Sequence, residues 1–174
     1  MNFNNFTIKS QEALQEAQSI AEKYQHQQID AEHLLQALIG QDGGIVAPIL
    51  QRVGANIPLI KSQLEEALKT VPKVYGSGGD IYLAPRLKKI LDKAMEEAQR
   101  LRDEFVSTEH ILIAIADEKT SEAYKILAAQ GATTGAILKA MASVRGSQRV
   151  TDHNPEEKYQ ALMRYTRDLI GLAT

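Results

Sequence analysis

Apolar residues recur three and four positions apart through most of this chain. Ser10, Ala13, Leu14, Ala17, Ala21 and Tyr24 share one helical face, and Leu87, Ile90, Leu91, Ala94, Ala98 and Leu101 share another. Thr7 stands where a hydroxyl caps the first of these helices. Ala84 at the start of the second is a poor cap, but Pro85 suits the first helical position. A second pair of helices opens at Asp30 and Ser107 as N-caps, with Glu32 and Glu109 placed to complement the positive end of the helix dipole. Third helices are expected over Val46 to Arg52 and Glu122 to Gln130, each stopping at a glycine, Gly54 or Gly131. Fourth helices are expected over Ile57 to Leu68 and Thr134 to Val144. No alternating pattern predicts a strand, so the expected fold is all-α.

These helices are two copies of one unit. Glu32-His33-Leu34-Leu35 returns as Glu109-His110-Ile111-Leu112, an offset of 77 residues. The same offset takes Leu14 to Leu91, Ile29 to Val106, Ile49-Leu50 to Ile126-Leu127 and Gly54-Ala55 to Gly131-Ala132. Such a unit is longer than a solenoid repeat of roughly 20–50 residues. The reading is two fused four-helix bundles, repeats of about 7–70 and 84–145, each too small to be stable alone. They pack on each other and create a seam, where function is expected.

Val71 to Asp80 reads as a linker. Its glycines follow no strand and precede no Lys-Ser/Thr pair, so they make no phosphate loop. After residue 145 the repeat ends. Residues 146–154 form a polar linker, and Asn154-Pro155-Glu156-Glu157 opens a last helix with Tyr159, Leu162, Met163, Thr166, Leu169 and Ile170 along one face. That helix belongs to neither repeat and is expected to have lost the domain it would pack against.

Composition narrows the chemistry. The chain has 174 residues, 44% hydrophobic and 24% charged, with a net charge of −2, no cysteine and no tryptophan. Disulfides and thiolate catalysis are excluded, and no basic or stacking surface suggests nucleic acid. The first residues lack a signal-peptide pattern, and no apolar run approaches the roughly 18 residues of a membrane span. A cytoplasmic location without membrane contact is expected. The Glu-His pairs are adjacent, about 100° apart on a helix, and offer neither a zinc helix nor a di-metal motif. Capping and first-turn electrostatics explain them. No Gly-x-x-x-x-Gly-Lys-Ser/Thr sequence occurs, so no ATP hydrolysis, cofactor or catalytic residue is expected within this chain.

Differences between the copies single out other residues. Gln18, Gln28 and Gln36 become Met95, Phe105 and Ile113. One reading has these apolar gains filling the seam. The other has them lining a peptide groove, closed by Ile81, Tyr82 and Leu83. Asp103 replaces His26, either as a turn residue bonding its own backbone or as part of that site.

Phe6-Thr7, Ser10 to Leu14, the two Glu-His motifs and Gly131 to Thr134 resemble the duplicated N-terminal domain of Clp-type AAA+ chaperones. Arg145 to Asp152, Tyr159-x-Ala161-Leu162 and Tyr165-x-x-Asp168-Leu169 are similar to the ClpB disaggregase branch. Ile170 departs from the usual Thr after Asp-Leu, and Ala31 from a frequent Pro. The resemblance implies a mobile module that binds exposed apolar segments of unfolded or aggregated proteins. It further implies a homo-hexameric ring with ATP and magnesium in missing domains, the first starting at residues 155–174, and a DnaK-type partner. Thr7, Asp103 and Glu109 carry over as polar site residues, beside Met95, Phe105, Ile113 and Tyr82 from the comparison of copies. The alternative ligand is a folded adaptor protein.

Overall fold

The computed structural model describes residues 3–74, 80–145, 150, 151, 153–157 and 159. Copy one contains α1 (Ile8–Lys23), α2 (Ala31–Ile39), α3 (Val46–Val53) and α4 (Ile57–Thr70). Copy two contains α5 (Pro85–Arg100), α6 (Thr108–Asp117), α7 (Glu122–Ala129) and α8 (Thr134–Arg145). The expected all-α architecture of two related four-helix units is therefore present. Thr7 caps α1 by accepting the Ser10 N–H, and Pro85 opens α5 behind Ala84.

Two short strands depart from the strand-free expectation. β1 (Gln28–Ile29) pairs in parallel with β2 (Tyr82–Leu83), and Phe6 bridges to Val106. Two-residue strands are too short to show alternation, and their partners are distant in sequence. The positions obey the repeat: Phe6 corresponds to Leu83, and Val106 to Ile29. Thr7 N–H donates to Val106 C=O at 3.0 Å, while Ala84 N–H donates to Ile29 C=O at 2.9 Å. Each copy's entrance is thus bonded to the other copy's second-helix approach.

Helix packing follows the same exchange. α1 packs on α2 and α5 on α6 within a copy, but α3 packs on α8 and α4 on α7 across copies. α6 is buried from Thr108 to Ala116, and α2 is nearly so. These two helices form the centre of one continuous core.

Turns repeat down to backbone handedness. Gly54 and Gly131 take positive φ after α3 and α7, at 95° and 75°. Gln25 and Arg102 do the same after α1 and α5, at 60° and 59°, without being glycine. The next residues close both ends, His26 N–H to Ala21 C=O and Asp103 N–H to Ala98 C=O, each at 2.8 Å. A left-handed non-glycine residue costs about 1–2 kcal/mol. Gln25→Gly and Arg102→Gly are expected to raise stability, each by up to about 1 kcal/mol once the extra freedom of unfolded glycine is counted. Gly54→Ala and Gly131→Ala should lower it by about 1 kcal/mol. Denaturant unfolding of the four variants checks both signs.

The linker between copies is described through Val74, whose N–H donates to Gln25 C=O, and again from Asp80. Tyr75 to Gly79, Gly146 to Arg149 and the last expected helix from 160 onward lie outside the described residues. The described part of the C-terminal segment is not left without a partner. Val150, Glu156 and Tyr159 are buried against the repeats. The sequence contains no sign of this, because the apolar stripe after Asn154 fits any apolar partner.

Candidate functional site

An open apolar groove lies on the copy-one side. Its volume is about 320 Å³, and it is lined by Phe3, Leu14, Ile29, Ile81 and Leu83, with Gln11, Gln15 and Gln18 along the α1 rim. Strand alternation in β2 turns Ile81 and Leu83 toward the groove and Tyr82 away from it. Tyr82 is 47% exposed, and its hydroxyl accepts from Gln28 Nε2 at 2.8 Å. The groove residues carry no formal charge. At the equivalent positions of copy two, Lys88 and Asp92 replace Gln11 and Gln15, Asn4 replaces Ile81, and the buried Phe6 replaces Leu83. That substitution pattern closes and charges the related surface.

The apolar gains of copy two therefore do not form this groove. Ile113 is only 2% exposed and fills the core beside α2. Met95 is half-buried on α5 against the same core. Phe105 is half-buried with its ring 4.1 Å from that of His153. Ile113 is packed in the core, while Ile81 and Leu83 line the groove. Sequence comparison missed Phe3 and Gln15 because groove formation depends on what each copy receives from the other.

Thr7, Asp103 and Glu109 are brought together elsewhere, in a buried polar cluster under the C-terminal segment. Asp103 accepts from His110 Nε2 at 2.7 Å, Arg145 Nη2 at 2.6 Å and Val150 N–H at 2.8 Å. Arg145 Nη1 also lies 3.5 Å from Glu109 Oε1. Thr7 donates to Glu156 Oε1 at 2.7 Å. Burial alone would push the Asp103 carboxyl up, but the bonds from His110, Arg145 and Val150 hold it below its ordinary value. Among the described residues Glu156 has no comparable counter-ion. Burial and the neighbouring Glu109 push its carboxyl up to about 7.

The Glu-His motifs have defined structural tasks. His33 Nδ1 accepts the Asp30 N–H and His110 Nδ1 accepts the Ser107 N–H, both at 2.9 Å, closing two capping boxes with histidine as the third residue. This leaves the proton on Nε2, which points at His26 Nδ1 at 2.8 Å in copy one and at Asp103 in copy two. Glu32 reaches across to the Ala123 N–H at the start of α7. Arg86, which sequence reading overlooked, grips Asp30 with two bonds of 3.1 and 2.6 Å and donates to Thr120 C=O. Its signal is faint, since its counterpart Lys9 only meets Asp42 C=O and Glu12.

His33 provides a pH test of this reading. Burial, with His26 beside it, pushes His33 down to about 4 from 6.5. The unfolded chain therefore binds a proton that the folded chain rejects between those values. Stability should fall as pH drops through that window, by about 3 kcal/mol at its foot. Comparing unfolding of wild type and His33→Gln at pH 7 and near 4.5 cancels the other acids; equal slopes for the two proteins would refute the assignment.

The class defined by this fold is a duplicated helical repeat domain that presents a groove, and among the described residues no cluster of acids and histidines could hold a metal. Residues 5–130 match the family described as the Clp repeat N-terminal domain. The chain belongs to that family, as a domain of the ClpB type. The chaperone protein ClpB of Nitratidesulfovibrio vulgaris is 42% identical over 98% of this chain, which spans 20% of that relative. The chain thus spans about a fifth of the length of the curated relatives it matches. Among solved structures, the Hsp104 N-terminal domain from Candida albicans superposes with a TM-score of 0.78 at 20% identity, covering 88% of this chain and 99% of that one. The ClpV N-domain in complex with a VipB peptide has a TM-score of 0.65 at 19% identity, covering 86% and 92%. No described helix is long and apolar enough to cross a membrane.

Proposed function

We propose that this domain captures apolar, uncharged stretches of unfolded or aggregated polypeptide in the groove between α1 and β2. The observation that carries the reading is the groove itself, whose apolar floor and glutamine rim repel no sequence by charge. Burying such a stretch gains about 25 cal/mol per Å² of apolar surface, while the amides offer donors and acceptors to a passing backbone. The peptide complex of the ClpV N-domain supports a peptide as the class of ligand for this fold.

A groove this small binds weakly on its own. In the larger protein, several copies around a homo-hexameric AAA+ ring raise the effective concentration and hand the captured segment to ATP- and magnesium-dependent domains. Residues 1–145 then form the module, 146–154 its linker, and 155–174 the entry to the first ATPase domain. A DnaK-type system supplies substrates through those other domains in the cytoplasm. Tyr82, on the face of β2 turned away from the groove, with Met95 and Phe105 on the copy-two side, extends the contact for longer segments. Thr7, Asp103, Glu109 and Ile113 act beneath the surface by fixing the scaffold.

The competing reading is a folded adaptor docked on the same face, and competition separates the two. Amide shifts are followed while the 174-residue chain is titrated with casein as an unfolded probe. Shifts should centre on Leu14, Ile81 and Leu83, and Leu14→Asp or Ile81→Asp should weaken binding about tenfold or more, roughly 1.4 kcal/mol. Shifts confined to Met95 and Phe105 would move the site to copy two and sink the groove assignment. An unaffected Leu14→Asp variant would do the same.

A further inference from the structure

The repeat relation exposes a second built site, already occupied by the chain's own C-terminal segment. In copy one the start of α2 is capped from within, Asp30 Oδ1 accepting the Ala31 N–H at 2.7 Å. The equivalent N–H in copy two belongs to Thr108, and its acceptor is Glu156 Oε1 at 3.3 Å. The start of α5 needs no acceptor, because Pro85 has no N–H. Its counterpart Ile8 does have one, and it donates to His153 C=O at 2.9 Å. The segment thus supplies, at two helix starts, what Asp30 and Pro85 supply internally at the other two.

Its grip is completed by Val150. The Val150 C=O accepts the Glu104 N–H at 2.7 Å, and its N–H donates to Asp103. Tyr159 is 1% exposed, with the Arg145 guanidinium carbon 5.7 Å from the ring centroid. We infer that the segment bearing Val150, Glu156 and Tyr159 is a releasable latch, that Glu156 is its catch, and that Thr7, Asp103 and Arg145 are the keeper. Latched, the chain leaves the repeats along α1 and α6. Released, it exits at the end of α8 and the repeats swing on a longer tether.

The catch is releasable because it is poorly compensated. Glu156 faces Glu109 and the Thr108 N–H from α6, and the start of α1 offers the Thr7 hydroxyl. Arg145 is already engaged by Asp103 and Glu109. Docking raises the Glu156 carboxyl above its free value, so the docked state binds the proton more tightly. Docking is therefore strongest in acid and weakens as pH rises through about 7.

Hydrogen exchange on the 174-residue chain tests this. In Glu156→Ala, protection of the Ile8, Thr108 and Val150 amides should fall roughly tenfold or more, while α2 and α7 amides keep theirs. Glu156→Gln retains an accepting oxygen without charge, so its protection should stay flat between about pH 5.5 and 8, where wild-type protection declines. Unchanged protection at those three amides in Glu156→Ala overturns the latch. Loss that spreads to α2 and α7 overturns it too, since the segment is then integral core. A flat wild-type profile removes Glu156's ionisation as the release step.

Discussion

Neither repeat of this protein finishes its own fold. Each entrance segment hydrogen-bonds to the other copy, Thr7 to Val106 and Ala84 to Ile29, and the third and fourth helices pack across the copies as well as within them. The reason is size. A unit of this length buries too little apolar surface to offset its ordering entropy, and exchange lets two marginal units share one core around α2 and α6. The paired β segments hold the copies in register, so everything at the surface is placed by that exchange.

Once the copies interlock, their differences become functional. The same two positions before a helix are Ile81 and Leu83 in one place and Asn4 and Phe6 in the other. Ile81 and Leu83 stand beside α1 and leave an uncharged apolar groove. Phe6 sinks into the core with its ring edge-on to Phe3, 5.2 Å between centroids. A duplicated scaffold thus carries one groove and one clasp, with no change of fold between them.

Buried ionisable groups follow the same division. Copy one uses two neutral histidines, His26 and His33, where copy two uses Asp103 and His110. The change from histidine to aspartate creates an anion that Arg145 and the Val150 N–H can satisfy. That anchors Val150 of the C-terminal segment on copy two. Buried charge costs several kcal/mol unless it is paired. The cluster accordingly pairs Asp103 fully and leaves Glu156 with hydrogen bonds from Thr7 and Thr108 but, among the described residues, no ion pair.

Much of this was legible along the chain. Helical periodicity placed all eight helices, caps at Thr7, Asp30 and Ser107 fixed their starts, and the offset of 77 revealed the duplication. These are local or repeated signals, carried by residues a few positions apart. The motifs also pointed to the family. What stayed hidden depended on long-range placement: the two-residue strands, the Arg86 grip on Asp30, and a groove beside Gln18 rather than Met95. For Ile113 both seam filling and groove lining stayed open, because an all-apolar helix reads alike in a groove and in a core, and only packing distinguishes the two. Thr7, Asp103 and Glu109 stood out as residues, but that they share one buried cluster follows from tertiary contacts spanning up to 149 positions, as between Thr7 and Glu156. Sequence determines which helices form and how they are capped, since those energies are local. Which faces remain open is decided by the exchange between copies, whose pairing no local pattern encodes.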